Sequence, residues 1–421
     1  MLDTEKQQAL IKVLKEKVNK QLLYYLDMCA RCAICRDACH QYKTTRDIKY
    51  IPAYRAELIR RLYKKYFSAI GRIIPKLYEG RKVDDDVLLD ELYQVTIACT
   101  GCRRCMYYCP FSIDTIHILS VAKSLLIAAG RENQILKELA DAAIMKGENI
   151  GLFKDVFISI LKESEPELRE KTNDSKAVIP VDKEGADVLY VALSGLHSIL
   201  PAAVIFNKAG INWTLSMFEA SNYGYFLGDT DKAKQIADRI VEEAKKLKVK
   251  EVIITECGHA YRVINFFYEA WAKAKPPFKV TALVEAIYKF VKEGKIKLKE
   301  KAVKEIVTYH DPCQVGRNGG FFEEPRYVVS QIAENFKDLN PNRTRAWCCG
   351  GGGGVVAIPE LEEFKLKTGE IKASQVKETG AKIIVSPCEN CRLQLDSLNT
   401  KYELDLQIKS LMEFVADNLI V

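Results

Sequence analysis

The chain has 421 residues, 48% of them hydrophobic, and a formal net charge of +7. This length predicts two or three domains with sizeable cores, and the charge comes without any nucleic-acid-binding motif. No uncharged apolar run reaches the roughly 18 residues that a transmembrane helix needs, and the first residues lack the apolar segment of a signal peptide. Fourteen cysteines in such a chain favour metal binding in a reducing compartment over disulfides.

Residues 4–26 carry apolar side chains at helical spacing, with lysines between them, and predict one amphipathic helix. The apolar positions are Leu10, Ile11, Leu14, Val18, Leu22, Tyr25 and Leu26. Two uses of the apolar face stay open: packing on a domain core, or docking on a partner subunit.

Two cysteine runs with the spacing C-x2-C-x2-C-x3-C follow. The first is Cys29, Cys32, Cys35 and Cys39, and the second is Cys99, Cys102, Cys105 and Cys109. In this pattern three cysteines bind one cubane [4Fe-4S] cluster and the fourth binds the other cluster. The sequence therefore predicts one cluster on Cys29, Cys32, Cys35 and Cys109, and a second on Cys99, Cys102, Cys105 and Cys39. Zinc is the alternative, but a zinc ion takes four ligands and would leave the other thiols unused.

The insert between the runs predicts helices over residues 54–67 and 86–95. It resembles the α-helical ferredoxin domains of succinate dehydrogenase-type and heterodisulfide reductase-type iron–sulfur subunits. Residues 43–82 contain twelve Lys or Arg against three Asp or Glu. This basic insert is either a solvated face or a contact surface for an anionic membrane or an acidic partner. Helical segments from residue 113 to about 162 complete a first domain, residues 1–162.

Residues 163–184 are mostly polar and predict a linker. Beyond it, short β-branched runs alternate with helical segments, which predicts parallel α/β layers. Strands are predicted at 188–193, 252–255, 306–309 and 383–385, and helices at 201–209, 231–247, 324–336 and 360–379. The layout occurs twice, so residues 185–300 and 301–421 are predicted to be two copies of one α/β repeat.

The second copy carries five cysteines in the segments HDPC, WCCGGGGG and SPCENC. They are Cys313, Cys348, Cys349, Cys388 and Cys391. Clustered thiolates bind iron, zinc or copper. Five thiolates exceed the four of a cubane, and adjacent cysteines can bind neighbouring irons, which favours an opened cluster. Glycines 350–354 allow positive φ and close backbone approach, and they lack the GK[ST] ending of a phosphate-binding loop.

The first copy keeps the frame of this site with one thiol. Aligning VKEVIITECGHA with AKIIVSPCENC places Cys257 opposite Cys388 and Ala260 opposite Cys391. Ser194 falls opposite Cys313, and residues 220–223 fall opposite the adjacent cysteine pair, so this copy cannot hold the same cluster. Cys257 and His259 are candidate catalytic residues that protonate or trap a substrate sulfur, and the alternative is that they are relic or packing residues.

Four further side chains flank these motifs. His310 and Asp311 are interpreted either as ordering the loop around Cys313 or as functional groups. Arg317 and Arg345 are interpreted as surface residues, with contact to an acidic thiol as the alternative.

With these motifs the chain resembles, over nearly its whole length, the cysteine-rich (CCG-domain) iron–sulfur subunits. These include the D subunits of heterodisulfide reductases, DsrK of dissimilatory sulfur metabolism, and the iron–sulfur subunits of glycerol-3-phosphate, lactate and glycolate oxidation. The resemblance implies that Cys313, Cys348, Cys349, Cys388 and Cys391 hold one noncubane [4Fe-4S] cluster that cleaves a disulfide. One intact motif together with the ECGHA stretch is more similar to DsrK than to heterodisulfide reductase, which has two.

The expected fold is α+β and multidomain, with an α-helical ferredoxin domain followed by tandem α/β CCG repeats that contain short parallel sheets. The expected function is that of a heterodisulfide reductase-like oxidoreductase. It passes electrons through two cubane clusters to the noncubane cluster, which reduces, or in reverse forms, a disulfide or trisulfide. The resemblance implies a membrane cytochrome b-type quinol-oxidising partner and, as substrate, a small protein or a low-molecular-weight disulfide. We expect the chain in the cytoplasm, peripheral on the cytoplasmic face of the membrane.

Two alternatives remain. One is an electron-relay subunit of a quinone-linked 2-hydroxyacid or glycerol-3-phosphate dehydrogenase, in which a flavoprotein partner carries out the chemistry. The other is a scaffold whose C-terminal cysteines bind structural zinc, and metal analysis of anaerobically purified protein distinguishes it.

Overall fold

The computed structural model describes residues 4–74, 76, 82–83, 85–147, 154–193, 195–216 and 223–420. The chain divides into two compact units. The helical unit comprises Met1–Leu136, Phe226–Asp229 and Gly350–Ile371, and the sheet unit comprises Lys137–Tyr225, Thr230–Cys349 and Lys372–Val421. The four-part division predicted from the sequence stays a prediction.

The helices that precede the first strand are α1 (Thr4–Lys17), α2 (Lys20–Met28), α3 (His40–Thr45), α4 (Pro52–Phe67), α5 (Ala69–Ile73), α6 (Asp86–Ile97), α7 (Arg104–Tyr108), α8 (Thr115–Ala128), α9 (Gln134–Lys146) and α10 (Lys154–Thr172). Those that follow it are α11 (Leu196–Lys208), α12 (Tyr223–Leu227), α13 (Thr230–Lys246), α14 (Gly258–Arg262), α15 (Tyr268–Ala272), α16 (Leu283–Lys292), α17 (Glu323–Ile332), α18 (Glu362–Thr368), α19 (Glu370–Lys377), α20 (Glu389–Tyr402) and α21 (Leu411–Ala416).

The single helix predicted over residues 4–26 is corrected to two helices, α1 and α2. Between them Asn19 takes an extended conformation and caps α2, with its Oδ1 accepting the backbone N–H of Leu22 at 2.8 Å. An asparagine at this position satisfies a helix N–H that has no partner within the helix. Leu10 and Leu22 lie in the same core, so the apolar pattern continues through a break in the helix.

The helices predicted between the two cysteine runs are confirmed as α4 and α6, and the segment after residue 113 forms α8, α9 and α10. The linker predicted over residues 163–184 is corrected only for residues 163–172, which belong to α10. Leu168 and Thr172 are buried. The polar residues between 163 and 172 lie mainly on the exposed face of this helix.

The part of the sheet unit that the structure describes contains two four-stranded parallel sheets. Their orders are β2-β1-β3-β4 and β6-β5-β7-β8. The strands are β1 (Val188–Val191), β2 (Trp213–Leu215), β3 (Glu251–Ile254), β4 (Lys279–Ala282), β5 (Val303–Tyr309), β6 (Ala333–Phe336), β7 (Ile383–Val385) and β8 (Gln407–Lys409). The two sheets have the same order, as expected of an internal repeat.

Half of these strands were not predicted, and one replaces the end of a predicted helix. The helix expected over residues 324–336 ends at Ile332, and Ala333–Phe336 forms β6. This segment lacks β-branched residues, and its pairing with β5 makes it a strand. The helix expected over residues 360–379 is divided into α18 and α19 on either side of Gly369.

The two repeats share one hydrophobic core. Helix α11 of the first repeat packs on α21 of the second, and α16 packs on α17. The core includes Tyr190 of β1 and Tyr309 of β5, both fully buried. Strands β5 and β7 are neighbours, with Tyr309 paired to Val385. The carboxyl ends of parallel strands meet at one sheet edge, so the loops that follow β5 and β7 emerge side by side.

Candidate iron–sulfur centres

The two cysteine runs of the helical unit have the same backbone geometry. Arg31 and Ala33 have positive φ values of 55° and 58°, and the equivalent Gly101 and Arg103 have values of 67° and 58°. Left-handed residues between cysteines bend the chain tightly. This local conformation turns the first three thiols of each run toward a common centre.

The structure brings together the two groups of thiols that the spacing of the cysteines predicts. Cys35 lies within electrostatic range of Cys29, Cys32 and Cys109, and these four line a cavity of about 300 Å³. Cys105 lies within electrostatic range of Cys102, Cys39 and Cys99. The fourth cysteine of each run therefore lies with the thiols of the other run, while their role as metal ligands stays a proposal.

The charge state of these thiols fits a multivalent metal centre. Burial raises the pKa of Cys35 to about 12, and the neighbouring sulfurs add to this increase. Burial likewise raises the pKa of Cys105 well above its usual range. Four thiolates held together without a cation repel one another, whereas a metal centre stabilises the deprotonated form. The residues present thus fit an iron–sulfur cluster.

Part of the positive charge of the basic insert lies in the interior of the helical unit. Arg55 is buried, donates to Gln41, and lowers the pKa of Cys39, although burial of that thiol raises it more strongly. Arg60 is also buried and donates its Nε–H to the carbonyl of Leu26 at 2.6 Å. These two residues therefore do not belong to a solvated face, which was one of the two interpretations of the basic insert.

The five-cysteine site lies in the sheet unit at the edge formed by the ends of β5 and β7. Cys313 follows β5, and Cys388 caps α20 directly after β7. Cys391 occupies the first turn of α20. Cys348 and Cys349 end the loop that follows β6, and all five thiols are buried.

Four of the five thiols form a connected group. The Sγ atoms of Cys349 and Cys391 are 3.3 Å apart. Cys349 also contacts Cys348, and Cys391 also contacts Cys388. The contacts with Cys348 and Cys391 lower the pKa of Cys349 well below its usual value, whereas the contacts with Cys349 and Cys388 raise that of Cys391. The Sγ of Cys313 accepts a hydrogen bond from Gln314 Nε2 at 3.6 Å.

A histidine lies beside these thiols. The ring nitrogen of His310 and the sulfurs of Cys349 and Cys391 lie within 4.8 Å of one another, which is a spacing suited to a metal ion. His310 is buried, and burial lowers its pKa, so the ring is neutral. Neutral imidazole and thiolate are ligands that iron and zinc both accept.

A buried ion pair and buried hydrogen bonds from arginine order the loops that carry the cysteines. Asp311 accepts two hydrogen bonds from Arg326, at 2.7 and 2.8 Å, and a third from the backbone N–H of Arg343 at 2.8 Å. Arg317 is buried and donates to the carbonyl groups of Thr344, at 2.8 Å, and Ala346. The expected surface position of Arg317 is therefore wrong, because this side chain holds the loop that leads to the adjacent cysteine pair. Arg345 is exposed.

The glycine run adopts the backbone conformations that its composition predicts. Gly350, Gly353 and Gly354 have φ values of 102°, 69° and 93°. Within the helical unit, a Cβ on Gly353 would lie 2.7 Å from the carbonyl oxygen of Cys99. A side chain at this position therefore conflicts with the backbone that carries the second cysteine run.

The candidate residue Cys257 takes the same local position as Cys388. Each cysteine caps a helix after the third strand of its sheet. The carbonyl of Cys257 accepts the N–H of Tyr261 at 3.0 Å, and that of Cys388 accepts the N–H of Arg392 at 2.9 Å. This supports the alignment of the two repeats. Ser194 and residues 220–222, which the alignment also used, lie outside the described residues.

Cys257 and His259 are both buried, and the segment that carries them contacts the five-cysteine site. Arg262 donates to Gln314 Oε1, and the same glutamine donates to Cys313. Cys257 lines a cavity of about 220 Å³ together with Val315 of the second repeat. The structure thus places Cys257 at the interface of the repeats, and the catalytic role of Cys257 and His259 stays a proposal.

Glu256 and Lys372 are two of the buried charged residues that were not identified from the sequence. Glu256 accepts the N–H of Met412 at 2.7 Å, and burial raises its pKa to about 8. Lys372 of α19 is fully buried, near Cys349 and two other thiols of the site. The sequence contained a signal for each of them. Glu256 is a charged residue that follows a buried strand, and Lys372 is a lysine among apolar positions of a helix.

In the described ranges, no helix combines the length and the apolar character needed to cross a membrane.

Comparisons with known proteins agree with the cysteine motifs. The family model of the cysteine-rich domain CCG matches residues 307–396, and that of the 4Fe-4S dicluster domain matches residues 25–113. The chain is 29% identical to Hdr-like menaquinol oxidoreductase iron-sulfur subunit 2 of Archaeoglobus fulgidus, over 96% of this chain and 81% of that protein. It is 26% identical to the D subunit of the dihydromethanophenazine:CoB–CoM heterodisulfide reductase of Methanosarcina barkeri, over 94% and 95% of the two chains. It is also 24% identical to the EtfAB:quinone oxidoreductase of Syntrophomonas wolfei, over 87% of this chain and 54% of that protein.

Proposed function

Because this chain belongs to the heterodisulfide reductase-like iron–sulfur subunits, we propose that its five-cysteine site reduces, or in reverse forms, a disulfide or trisulfide bond. Its 4Fe-4S dicluster domain and its CCG domain serve electron transfer. Reduction of a disulfide takes up two electrons and two protons, breaks the S–S bond and releases two thiols. The chain must therefore bring electrons, protons and a substrate sulfur to one place.

The observation that carries the proposal is the connected group of buried thiols at the ends of β5 and β7. Four thiols touch in sequence, from Cys348 through Cys349 and Cys391 to Cys388, and Cys313 follows the neighbouring strand. We propose that these five hold one noncubane [4Fe-4S] cluster. Such a cluster supplies electrons, together with an iron that can contact an external sulfur.

The two thiol groups of the helical unit are the proposed ligands of two cubane clusters that connect a redox partner to this site. Their exposure differs in a way that suits such a relay. Cys32 of the first group is exposed, whereas Cys39 of the second group is buried. We assign the entry of electrons to the first group, because an exposed ligand brings a cluster within reach of a partner protein.

Protons reach the substrate from groups beside the site. Glu256 stays protonated at neutral pH because burial raises its pKa to about 8. It directly precedes Cys257, which lines the cavity at the repeat interface. We propose that Cys257 and His259 protonate or trap the substrate sulfur, with the protonated Glu256 adjacent to them in the chain.

The names of the relatives support the proposed partner and the proposed class of substrate. The Archaeoglobus relative is named a menaquinol oxidoreductase subunit, which supports a membrane cytochrome b-type subunit as the quinol-oxidising partner. We propose peripheral association with the cytoplasmic face of the membrane through that subunit. The substrate proposed is a small protein or a low-molecular-weight compound that carries a disulfide or trisulfide.

A second function has one observation in its favour. The likeness to a protein named EtfAB:quinone oxidoreductase supports an electron-relay subunit of a quinone-linked dehydrogenase, such as one for 2-hydroxyacids or glycerol 3-phosphate. In that function no external sulfur binds, and a partner subunit carries out the substrate chemistry.

Electron paramagnetic resonance of the oxidised protein with added thiol tests the proposal. We expect a thiol-dependent signal that is lost in Cys349→Ser and retained in the matched control Cys32→Ser, which changes a thiol of the helical unit. A signal that is independent of thiol, or retained in Cys349→Ser, would favour the relay function.

A further inference from the structure

Lys372 is a cation fixed in the interior of the sheet unit. Its side chain is 0% exposed. It lies on α19, where Ala373, Gln375 and Val376 are also buried. Removing an ammonium group from water is costly unless an anion compensates its charge. The fold therefore needs an anion near this residue.

The hydrogen bonds of Lys372 hold its position without neutralising it. Its Nζ donates to Oε1 of Gln375, three residues along the same helix. Gln375 in turn donates its Nε2–H to the carbonyl of Pro341 at 2.6 Å, which orients its own carbonyl toward the lysine. Both acceptors are neutral amides. These hydrogen bonds thus fix the ammonium in place and do not neutralise its charge.

Asp311 is the carboxylate whose charge acts most strongly on Lys372, and it is already paired with other groups. Asp311 is bound by two nitrogens of Arg326 and by the N–H of Arg343. Within the described part of the chain, no carboxylate lies within ion-pair distance of Lys372. The thiols of Cys348, Cys349 and Cys391 also lie within electrostatic range of Lys372, and they are anionic when they bind a metal. Burial lowers the pKa of Lys372 to about 8, while Asp311 and the deprotonated forms of these cysteines oppose that decrease.

We propose that Lys372 is the built-in counter-cation of the metal centre at the five-cysteine site, where its charge favours the electron-rich state and raises the reduction potential. This inference rests on the proposed function, since it requires a redox-active centre on these thiols. The physical basis is that adding an electron increases the negative charge of the centre. A buried cation stabilises added negative charge more than an exposed one does, because the protein interior screens less than water.

The test is a redox titration of the full-length, anaerobically purified protein, followed by electron paramagnetic resonance. Lys372→Met keeps an unbranched side chain that is one atom shorter and removes the charge. We expect the midpoint potential of the C-terminal centre to shift to a more negative value. The two centres of the helical unit serve as internal standards and should keep their potentials. Lys372→Arg should give a potential close to that of the wild type.

Lys365 provides a matched control for the loss of a buried lysine. It is also buried, but it pairs with the carboxylate of Glu362 at 2.6 Å. Lys365→Met should therefore leave the potential of the C-terminal centre unchanged. If Lys372→Met lost iron from this centre while Lys372→Arg retained it, the requirement for a charge would still be supported. Iron loss in both variants, or an unchanged potential in Lys372→Met with full iron content, would overturn the inference.

These outcomes are distinct from failure of the proposed function. If the wild-type protein held no redox-active centre on the C-terminal thiols, both proposals would fail. If that centre titrated normally and ignored the charge at Lys372, the proposed function would stand and the role of Lys372 would not.

Discussion

Glu256 directly precedes the candidate catalytic residue Cys257, and burial raises the pKa of its carboxyl group to about 8. One of its oxygens accepts the N–H of Met412, and its own backbone carbonyl accepts the N–H of Glu389 at 3.1 Å. The side chain is buried between the two repeats, where a carboxylate is poorly solvated. A protonated carboxyl group at this position stabilises the fold, and its deprotonation destabilises it.

Glu256→Gln should make stability less dependent on pH. The folded protein holds the proton up to about pH 8, whereas the unfolded chain releases it above the ordinary pKa of 4.5. Between these values folding takes up a proton, so the free energy of unfolding of the wild type falls with rising pH, by about 1.4 kcal/mol per pH unit. Glutamine keeps the hydrogen bond from Met412 and removes this loss. Anaerobic urea denaturation from about pH 5 to about pH 8 measures the difference.

Glu251 provides the control, because it begins β3, the strand that leads to Glu256, and its pKa is shifted in the opposite direction. Hydrogen bonds from Lys279 and Thr281 lower its pKa in spite of the burial that raises it. A lowered pKa adds stability that is already present above pH 4.5 and is lost only in more acidic solution. Glu251→Gln should therefore leave the slope above pH 5 unchanged, and an equal change of slope in both variants would contradict the account of Glu256.

The double substitution Cys257→Ala, His259→Gln tests the candidate catalytic pair. We expect disulfide reduction to fall by a factor on the order of 10²–10⁴, the range for loss of proton transfer. Iron content should remain at the wild-type level, since neither residue belongs to the proposed ligand sets. The measurement is the rate of reduction with a chemical electron donor, normalised to iron. Unimpaired reduction would show that these residues only pack the repeat interface.

At the scale of elements, the close backbone approach predicted for the glycine run is confirmed, and the structure identifies the neighbouring backbone, which the sequence did not. Gly353 combines a φ of 69° with a close backbone neighbour, since a Cβ at this position would lie 2.7 Å from the carbonyl oxygen of Cys99. That carbonyl begins the second cysteine run. The run therefore requires glycine for close approach as well as for left-handed conformation.

Gly353→Ala should disturb the second thiol group of the helical unit. Its Cβ meets backbone atoms, which cannot move aside as a flexible side chain would, so we expect loss of iron from that group together with about 1–3 kcal/mol of stability. Iron and sulfide analysis of anaerobically purified protein checks this. Gly380→Ala is the matched control, because Gly380 has a φ of 67° and open space around its Cβ. Equal iron loss in both variants would indicate general strain.

Sequence patterns predicted the elements in which one local signal dominates. The spacing of the cysteines gave the two thiol groups, because short spacers leave the chain few ways to place them. Strands β1, β3, β5 and β7 each contain a short buried run with β-branched residues, and they were predicted. Strand β6 was missed, because the sequence Ala-Glu-Asn-Phe is a strand only through its pairing with β5. The break at Asn19 was missed because the apolar pattern is the same on both sides.

Buried charges were harder to predict, since sequence reasoning places lysine, arginine and glutamate at the surface by default. Arg317 shows this directly: it was expected at the surface, yet it binds the carbonyl groups of the loop before Cys348. Lys372 and Glu256 were not singled out for the same reason. Their positions depend on contacts with residues that are distant in the sequence. Lys372 is connected to Pro341 by way of Gln375, and Glu256 binds Met412.

At the scale of the whole molecule, each compact unit is built from segments that are not contiguous in the sequence. Gly350–Ile371 belongs to the helical unit although the segments before and after it belong to the sheet unit. Tyr93 of α6, for example, donates to Glu360 at 2.7 Å. Composition marks neither boundary of this segment. The polar residues 163–172 gave the opposite error, because they suggested a linker where α10 continues.

Iron-specific anomalous diffraction from crystals of anaerobically purified protein tests the central claim most directly. The account predicts three iron sites: two cubane clusters on the thiol groups of the helical unit, and one cluster of another shape bound by Cys313, Cys348, Cys349, Cys388 and Cys391, with an iron open to a cavity. A zinc ion, an ordinary cubane, or a cluster closed off from any cavity at those five thiols would contradict it and leave a two-cluster electron carrier.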